Sequence, residues 1–417
     1  MSPSFFEDQL KVKCLVCKFP LDLNIPNRIT FQNSYVSKEI KEWGPQEVVL
    51  NYEVCPHCGQ FQCLQNVRQE VLTNRISRMS YDSFRKDIEI KTFTDDFRAK
   101  LLAGWAKQIG ISLKDSLCVD IGTATCSFLY HLKKNVDCRV LGYDPIAQYA
   151  DYAKKDLGVK LIGELFNTMT IEESSVDVVT IIQTMENIPT VNELCHDVWY
   201  SLKKGGLFYI ETPDVWRLRR DDAHYYHPFI FSPLSLAQVL YKHGFEVVRW
   251  SPYGICGQQE YDHMSLLARK IEKPRDFKFS FIENRKHLES CVKKAEFVLQ
   301  KNYNSTTFQK AMRKIEFSIR RFLNSGVLNR RQYEETVNQL VASVDFYVEF
   351  SKEDLQSMAR RVLVRSKNCQ AKTPLRQIFY QELVRFASEI RIFNEGIEKL
   401  RQNNDQAASV PGLLAKV

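Results

Sequence analysis

The chain has 417 residues, of which 44% are hydrophobic and 26% charged, with a formal net charge of +8. No apolar run approaches the roughly 20 residues of a membrane helix, and the start "MSPSFFEDQLKVK" lacks the cationic and apolar parts of a signal peptide. A membrane-spanning chain is excluded, a cytoplasmic one is expected, and the twelve cysteines are read as free thiols or metal ligands rather than as a disulfide framework.

Residues 1–66 alternate short β-branched and aromatic runs, "RITFQNSYVS" and "EVVLNYEVC", with Asn, Pro and Gly breaks, a pattern of small antiparallel hairpins. They hold Cys14-x-x-Cys17 and Cys55-x-x-Cys58, followed by Gly59. Two residues between cysteines let one tight turn aim both sulfurs at one ion, and Gly59 permits the twist that closes the turn. Four thiolates fill a tetrahedral Zn2+ and leave no place for water, so a structural zinc ribbon is predicted; a redox dithiol is the alternative. The 37 residues between the pairs require inserted hairpins. Cys14→Ser is expected to unfold this region while sparing the α/β domain that follows, because ligation energy is folding energy for such modules.

A helical bridge is predicted over residues 67–112. Residues 113–272 then alternate strand-like runs ("SLCVDI", "CRVLGYD", "VKLIGE", "VDVVTIIQ", "GGLFYIET", "FEVVRW", "HMSLLAR") with helical ones ("SFLYHLKK", "IAQYADYAKKDL", "NELCHDVWYSLKK", "PLSLAQVLYKH"). The expected fold class is α/β, a Rossmann-like parallel sheet covered on both faces. The last two strands have no helix between them, which suggests an antiparallel pair at the edge.

Residues 273–402 read as a basic helical domain, and 403–417 as a frayed tail. From residue 271 onward there are 27 Lys and Arg against 17 Asp and Glu, so this third holds all the excess positive charge. One helix places Phe308, Met312, Ile315, Ile319 and Phe322 on a single stripe. Ser351 with Asp354, and Thr373 with Pro374, mark later helix starts. The stripe favours packing, an oligomer or a protein partner. The charge leaves RNA open as a partner.

The chemistry concentrates in "LCVDIGTATCSFLYHL", a strand entering a tight acidic-glycine turn and then a helix. Ligands of such sheets sit beyond the carboxyl ends of the strands. Asp120 and Gly122 end the first strand of the domain, and Asp144 ends the second, 24 residues on, where an acid suits the hydroxyls of a ribose. A dinucleotide would need glycine at 124 and 127, where the chain has Ala124 and Ser127, and Asp120 would repel a pyrophosphate. S-adenosylmethionine has no phosphate and carries two cationic groups, so it suits the same turn.

On these residues the stretch from Leu117 to Lys270 resembles the class I S-adenosylmethionine-dependent methyltransferases, whose D-x-G-x-G-x-G turn and following acid match Asp120, Gly122 and Asp144. "SVDVVTIIQTMENI", "SLKKGGLFYIETPD", "HPFIFSPLSL" and "HGFEVV" follow in the family's order. With "CPHCGQFQ" similar to a C-x-x-C-G-x-x-Q signature, the chain resembles in particular the sugar C-methyltransferases that bear an N-terminal zinc domain. The resemblance implies a cofactor site of Asp120, Gly122, Thr123, Asp144, Gln183 and Thr184, and catalytic candidates Tyr81, His224 and His227. His227 matches the family histidine, whereas Tyr226 stands where the family has glutamate, His224 where it has tyrosine, and Asn187 where relatives have histidine. Ala124 and Cys126 replace two turn glycines. Their effect depends on whether the turn needs positive φ there or close approach to the cofactor. The expected activity is methyl transfer to a small molecule or sugar nucleotide; an RNA methyltransferase and a non-catalytic scaffold are the alternatives.

Overall fold

Three N-terminal strands, β1 (Ile29–Asn33), β2 (Val48–Val54) and β3 (Phe61–Cys63), pair antiparallel in chain order. The computed structural model describes residues 12–21, 29–33, 48–67, 81–146, 148–215, 227–251, 263–273, 277–279, 389 and 392–402. Helix α1 (Tyr81–Gln108) carries the chain into the central sheet. That sheet takes in turn β4 (Leu117–Ile121), α2 (Ser127–Val136), β5 (Arg139–Tyr143), α3 (Gln148–Asp156), β6 (Lys160–Ile162) and β7 (Val176–Ile182). A 3-10 turn (Met185–Asn187), α4 (Val191–Ser201) and β8 (Leu202–Pro213) follow. The last elements are β9 (Phe229–Ile230), α5 (Pro233–Lys242), β10 (Phe245–Ser251) and β11 (His263–Lys270).

The seven-stranded sheet has the order β10-β11-β8-β7-β4-β5-β6. Its β6, β5, β4, β7 and β8 run parallel, in agreement with their continuous apolar runs: a strand covered on both faces has no polar side to show. Strands β10 and β11, which have no helix between them, lie side by side at one edge of the sheet as expected, with β10 outermost and β11 antiparallel to β8. The chain leaves β4 toward β5 and β6 on one side, then returns to β7 and β8 on the other. Between β4 and β7 this order opens the crevice in which such sheets hold ligands.

Helix α2 lays Phe128, Leu129 and Leu132 on the core while Lys133 and Lys134 face solvent, and Asp137 ends it in a left-handed conformation. Helix α5 starts with a reciprocal cap, Ser235 N and Ser232 N each donating at 3.0 Å to the other's Oγ, with Pro233 in the first turn. Residues 233–240 are all buried, so this helix is covered on every face. Part of its cover is the N-terminal region: Gln238 Nε2 donates to Cys58 O at 3.2 Å.

A second sheet joins the two ends of this arrangement in the order β1-β2-β3-β9. Phe61 pairs with Ile230 and Gln62 with Phe229, so a strand 170 residues downstream completes the N-terminal hairpins. Leu50, Tyr52, Phe61, Cys63 and Ile230 form one buried cluster across it.

By contact density the chain divides into a unit of Met1–Trp250, Asp262–Ile282 and Lys399–Ser409 and a unit of Ser251–Tyr261, Glu283–Glu398 and Val410–Val417. Of the predicted basic helical domain, residues 392–402 are helical, with Ile392, Phe393, Ile397 and Leu400 buried. The stripe from Phe308 to Phe322 and the helix starts at Ser351 and Thr373 lie outside the described residues, as does the tail from 403. Among the described residues no helix is long and apolar enough to cross a membrane.

Candidate active site

The turn after β4 keeps the backbone of a glycine loop with only one glycine. Gly122 (φ 68°), Ala124 (φ 45°) and Cys126 (φ 60°) are all left-handed. Gly122 N and Thr123 N both donate to Tyr143 O, at 2.8 and 3.1 Å, which fastens the turn to the end of β5. A Cβ on Gly122 would lie 2.4 Å from Thr184 Cγ2, so that position needs glycine for space as well as for φ. Opposite, Gly142 makes room beneath the turn: a Cβ there would meet Thr123 Cγ2 at 2.6 Å and Cys126 Sγ at 2.9 Å. Thr123 and Cys126 therefore turn their side chains under the loop, and Cys126 is fully buried. The thiol fills the space over Gly142, and burial pushes its pKa up to about 12.

Positive φ is thus what the replaced glycines supplied. A side chain in that conformation costs about 1 kcal/mol. Ala124→Gly is expected to raise stability by roughly 0.5–1 kcal/mol, read as a higher denaturation midpoint, because it removes the strain without deleting a packed group. A lower midpoint would mean that Ala124 packs in a way its half-buried methyl does not suggest.

Asp144 closes the turn from the β5 side. Its Oδ2 accepts from Ala124 N at 2.8 Å and its Oδ1 from Ile146 N at 2.9 Å. A carboxylate oxygen can accept more than one hydrogen bond, which suits a ligand hydroxyl at this position. Asp120 lies deeper, 3% exposed, and accepts from Thr180 Oγ1 at 2.6 Å. Burial pushes its pKa up to about 7, against the opposing effect of the Thr180 hydrogen bond. A cationic ligand nearby would draw that proton off. Cys126, at the start of helix α2, makes no side-chain cap; Thr125 Oγ1 accepts from Ser127 N at 3.4 Å, and a helix N-terminus of this kind favours an anionic group. An acid for hydroxyls, a buried acid beneath, and an open helix start suit the ribose, ammonium and carboxylate of S-adenosylmethionine.

Beside the turn, at the ends of β7 and β8, the structure assembles a charged network that the sequence reading did not assign. Arg98 of α1 donates through Nε to both Glu211 oxygens, at 3.1 and 3.0 Å, and its Nη2 also bonds Oε1. Its Nη1 donates to Asp95 Oδ1 at 2.8 Å. Glu211 is fully buried; burial alone would raise its pKa, but the guanidinium overrides it and holds the carboxyl below the usual range. Gln183 Nε2 donates to Glu211 Oε1 at 3.2 Å and lies 2.8 Å from His263 Nδ1. An acid inside the apolar run "GGLFYIET" was the signal for this cluster, since a buried carboxylate requires a partner. The partner's position, 113 residues earlier on a helix, was not legible.

Of the residues expected at the cofactor site, Asp120, Gly122, Thr123, Asp144, Gln183 and Thr184 all gather at this edge of the sheet. The catalytic candidates are placed differently. His227 is buried and begins the segment that leads into β9. Its backbone O accepts from Tyr52 Oη at 3.1 Å, and Pro228 O accepts from Cys63 N at 3.0 Å. Strand β9 in turn packs on the 3-10 turn Met185–Asn187, which follows Gln183 and Thr184. Tyr81 opens α1, and its side chain lies outside the described residues, as do His224 and Tyr226.

The four cysteines converge. Cys14 Sγ lies 3.7 Å from Cys58 Sγ and Cys17 Sγ 3.6 Å from Cys55 Sγ, and all four sulfurs fall within 4.8 Å of one another. A regular tetrahedron of 2.3 Å zinc–sulfur bonds has edges of about 3.8 Å. The two turns are near copies: Lys18 N donates to Cys14 O at 3.0 Å as Gly59 N does to Cys55 O at 2.9 Å. Gly59 has φ 74°, as its sequence position implied, and Lys18 reaches 62° without being glycine. Gln62, the last residue of the C-x-x-C-G-x-x-Q match, ties the turns together through Oε1, which accepts from Leu15 N at 2.9 Å. Cys17 and Cys55 are both held below the usual thiol range, chiefly by hydrogen bonding from Cys14.

Residues 90–249 match the family model described as a methyltransferase domain. This stretch is an enzyme domain. No curated protein matches the chain. Among solved structures, an S-adenosylmethionine-dependent methyltransferase from Aquifex aeolicus is 19% identical over 44% of this chain and 97% of its own, with a TM-score of 0.34. One from Archaeoglobus fulgidus is 16% identical over 43% and 98%, with a TM-score of 0.35.

Proposed function

We propose that this chain is an S-adenosylmethionine-dependent methyltransferase with a structural zinc site, acting on a small-molecule or sugar-nucleotide acceptor. The observation that carries the reading is the turn after β4, which keeps left-handed backbone at residues 122, 124 and 126 and is locked to Asp144. Ala124 and Cys126 keep the backbone of the glycine turn despite the cost of a side chain in that conformation. The methyltransferase-domain match over residues 90–249 supports it independently.

When bound, S-adenosylmethionine supplies a methyl group already activated on a sulfonium. The protein's part is positioning. Asp144 holds the ribose hydroxyls, Gly122 lets the turn approach, and Asp120 offers negative charge beneath. Gln183 and Thr184 border the end away from the ribose. His227 is the candidate to take a proton from the acceptor, and the zinc held by Cys14, Cys17, Cys55 and Cys58 fixes the sheet that anchors it. The sugar C-methyltransferase likeness rests on the partial motif around His227 and on the C-x-x-C-G-x-x-Q stretch.

Asp144→Ala is expected to weaken binding of S-adenosylmethionine by about a hundredfold or more in calorimetry. It deletes two charge-assisted hydroxyl contacts, each worth about 1.5–3 kcal/mol, and frees the amides of Ala124 and Ile146. Unchanged affinity would remove the ribose assignment, and no binding to the wild type would remove the cofactor reading.

A further inference from the structure

The twin cysteine turns close on different residues. Where the second has Gly59, the first has Lys18 in the same left-handed conformation, followed by Phe19. A side chain strains that backbone, and the other turn shows that glycine fits it. Lys18 and Phe19 are both exposed, Phe19 by 40%. Among the described residues no other Phe, Tyr or Trp is so exposed.

Phe19 belongs to a series of rings and cations. It stacks on His57 at 5.1 Å with the planes 11° apart, and His57 meets Phe279 at 6.2 Å. Phe279 carries Lys242 Nζ 5.5 Å over its ring and packs edge-on against Phe277 at 4.9 Å. His243 comes next; burial, then Lys242 and Lys273, push its pKa down to about 4. Lys273 Nζ and Lys270 Nζ in turn lie 4.5 and 4.1 Å over Trp199. Each member touches or feels the next, from the first cysteine turn across the end of α5 to α4.

Like charges gather here against their own repulsion. Lys242 is pulled below the usual lysine range by burial and then by Lys18, and Lys270 and Lys273 are lowered mainly by burial. Glu193 near Lys242 and Glu173 near Lys270 oppose this only in part, and residues 12–21 and 277–279 contain no acid. The Trp199 end lies away from the cofactor edge. Lys270 ends β11 and its Nζ donates to Leu202 O, where β8 begins, so this is the amino end of the parallel strands, opposite the turn 122–126.

Spaced ammonium groups hold phosphates, and ring faces between them hold bases. We propose that this surface binds a single-stranded polynucleotide, with backbone phosphates on Lys18, Lys242 and Lys273 and a base stacked on Phe19. An acidic protein segment would use the charges but has no base to lay on the ring. The inference is independent of the cofactor reading and of the methyl acceptor.

A fluorescent oligouridylate of about twelve nucleotides tests it on the full chain, read by anisotropy at rising salt. Wild-type binding should weaken with a log–log slope of about −0.7 for each phosphate held. Lys18→Gly combined with Lys273→Gln is expected to weaken binding about tenfold and to make the slope shallower by about 1.4, the share of two phosphates. Phe19→Ala should also weaken it about tenfold but leave the slope unchanged, because a stacked base releases no counterion, and Phe19→Trp should keep wild-type affinity. Lys18→Gly alone should raise the denaturation midpoint while weakening binding, a pairing that a purely structural lysine would not produce. Wild-type protein that does not bind the oligonucleotide overturns the proposal. So does binding that ignores both the lysine and the Phe19 variants, which would place it elsewhere on this basic chain. Phosphatidylserine vesicles bound in preference to the oligonucleotide would make the surface a membrane contact and overturn it as well.

Discussion

On the proposed zinc reading of the four cysteines, adding a chelator to the full chain is expected to loosen two segments far apart in sequence, the N-terminal hairpins and residues 227–231. A structural zinc contributes about 10–16 kcal/mol to folding in isolated fingers, so its loss removes the main support of a region with a small core. The expected effect reaches β9 because the two segments share one sheet. Strand β3 pairs with β9, Gln60 Nε2 donates to Ile230 O at 2.7 Å, and Tyr52 Oη holds His227 O. Asn192 of α4 adds a clamp, donating to Leu15 O and Val16 O at 3.1 Å while its Oδ1 accepts from Lys242 Nζ at 2.9 Å.

Elemental analysis should find one zinc per chain in protein purified without chelator. After chelation, amide exchange at Phe229, Ile230 and Phe231 is expected to rise by about tenfold or more, while amides of β4 and β5 stay protected. Exchange in β9 that ignores the metal would show that the hairpins stand without it.

Arg98→Ala is expected to cost about 3–5 kcal/mol at pH 7, because it strands the carboxylate of Glu211 in the core. The loss should depend on pH, with a definite sign. In the wild type the folded pKa of Glu211 is lowered, so its contribution is present above the ordinary value of 4.5 and lost as pH falls through the folded value. In the variant burial is opposed only by His263 and by the Gln183 hydrogen bond, and the folded pKa rises. Glu211 then destabilises the fold increasingly as pH climbs above about 4.5. The gap between the two proteins in denaturant titrations should widen from pH 4 to pH 7. A deficit that does not vary with pH would mean that the guanidinium matters for packing alone.

Periodicity and turn chemistry carried much of the architecture. Continuous Val and Ile runs in "VDVVTIIQ" and "CRVLGYD" belong to strands covered on both faces, and Ser232-Pro233 starts a helix for the reasons its residue types imply. The turn at the carboxyl edge was legible for the same reason: Asp120, Gly122 and Asp144 lie at strand ends, where local sequence shapes the turn. The two cysteine turns were legible in spacing, since each is closed by its own backbone within five residues.

Contacts between distant segments were not legible, because no local pattern encodes a partner's position. Nothing in "HPFIFS" announces that Phe229 and Ile230 complete a sheet begun at residue 29. Nothing near Glu211 says that its counter-charge arrives from α1. The question raised by Ala124 and Cys126 was open for the same reason: a residue's identity bounds its φ without setting it. What the sequence by itself determined is which segments are strands, which turns can bind, and which residues carry charge or sulfur. Only the tertiary structure decided that Tyr143 and Asp144 fasten the left-handed turn, that Arg98 and Gln183 both bond Glu211, and that Tyr52 of the N-terminal sheet holds the backbone of His227. Each of those is a balance between local cost and long-range contact, and the long-range contact exists only once the chain has folded.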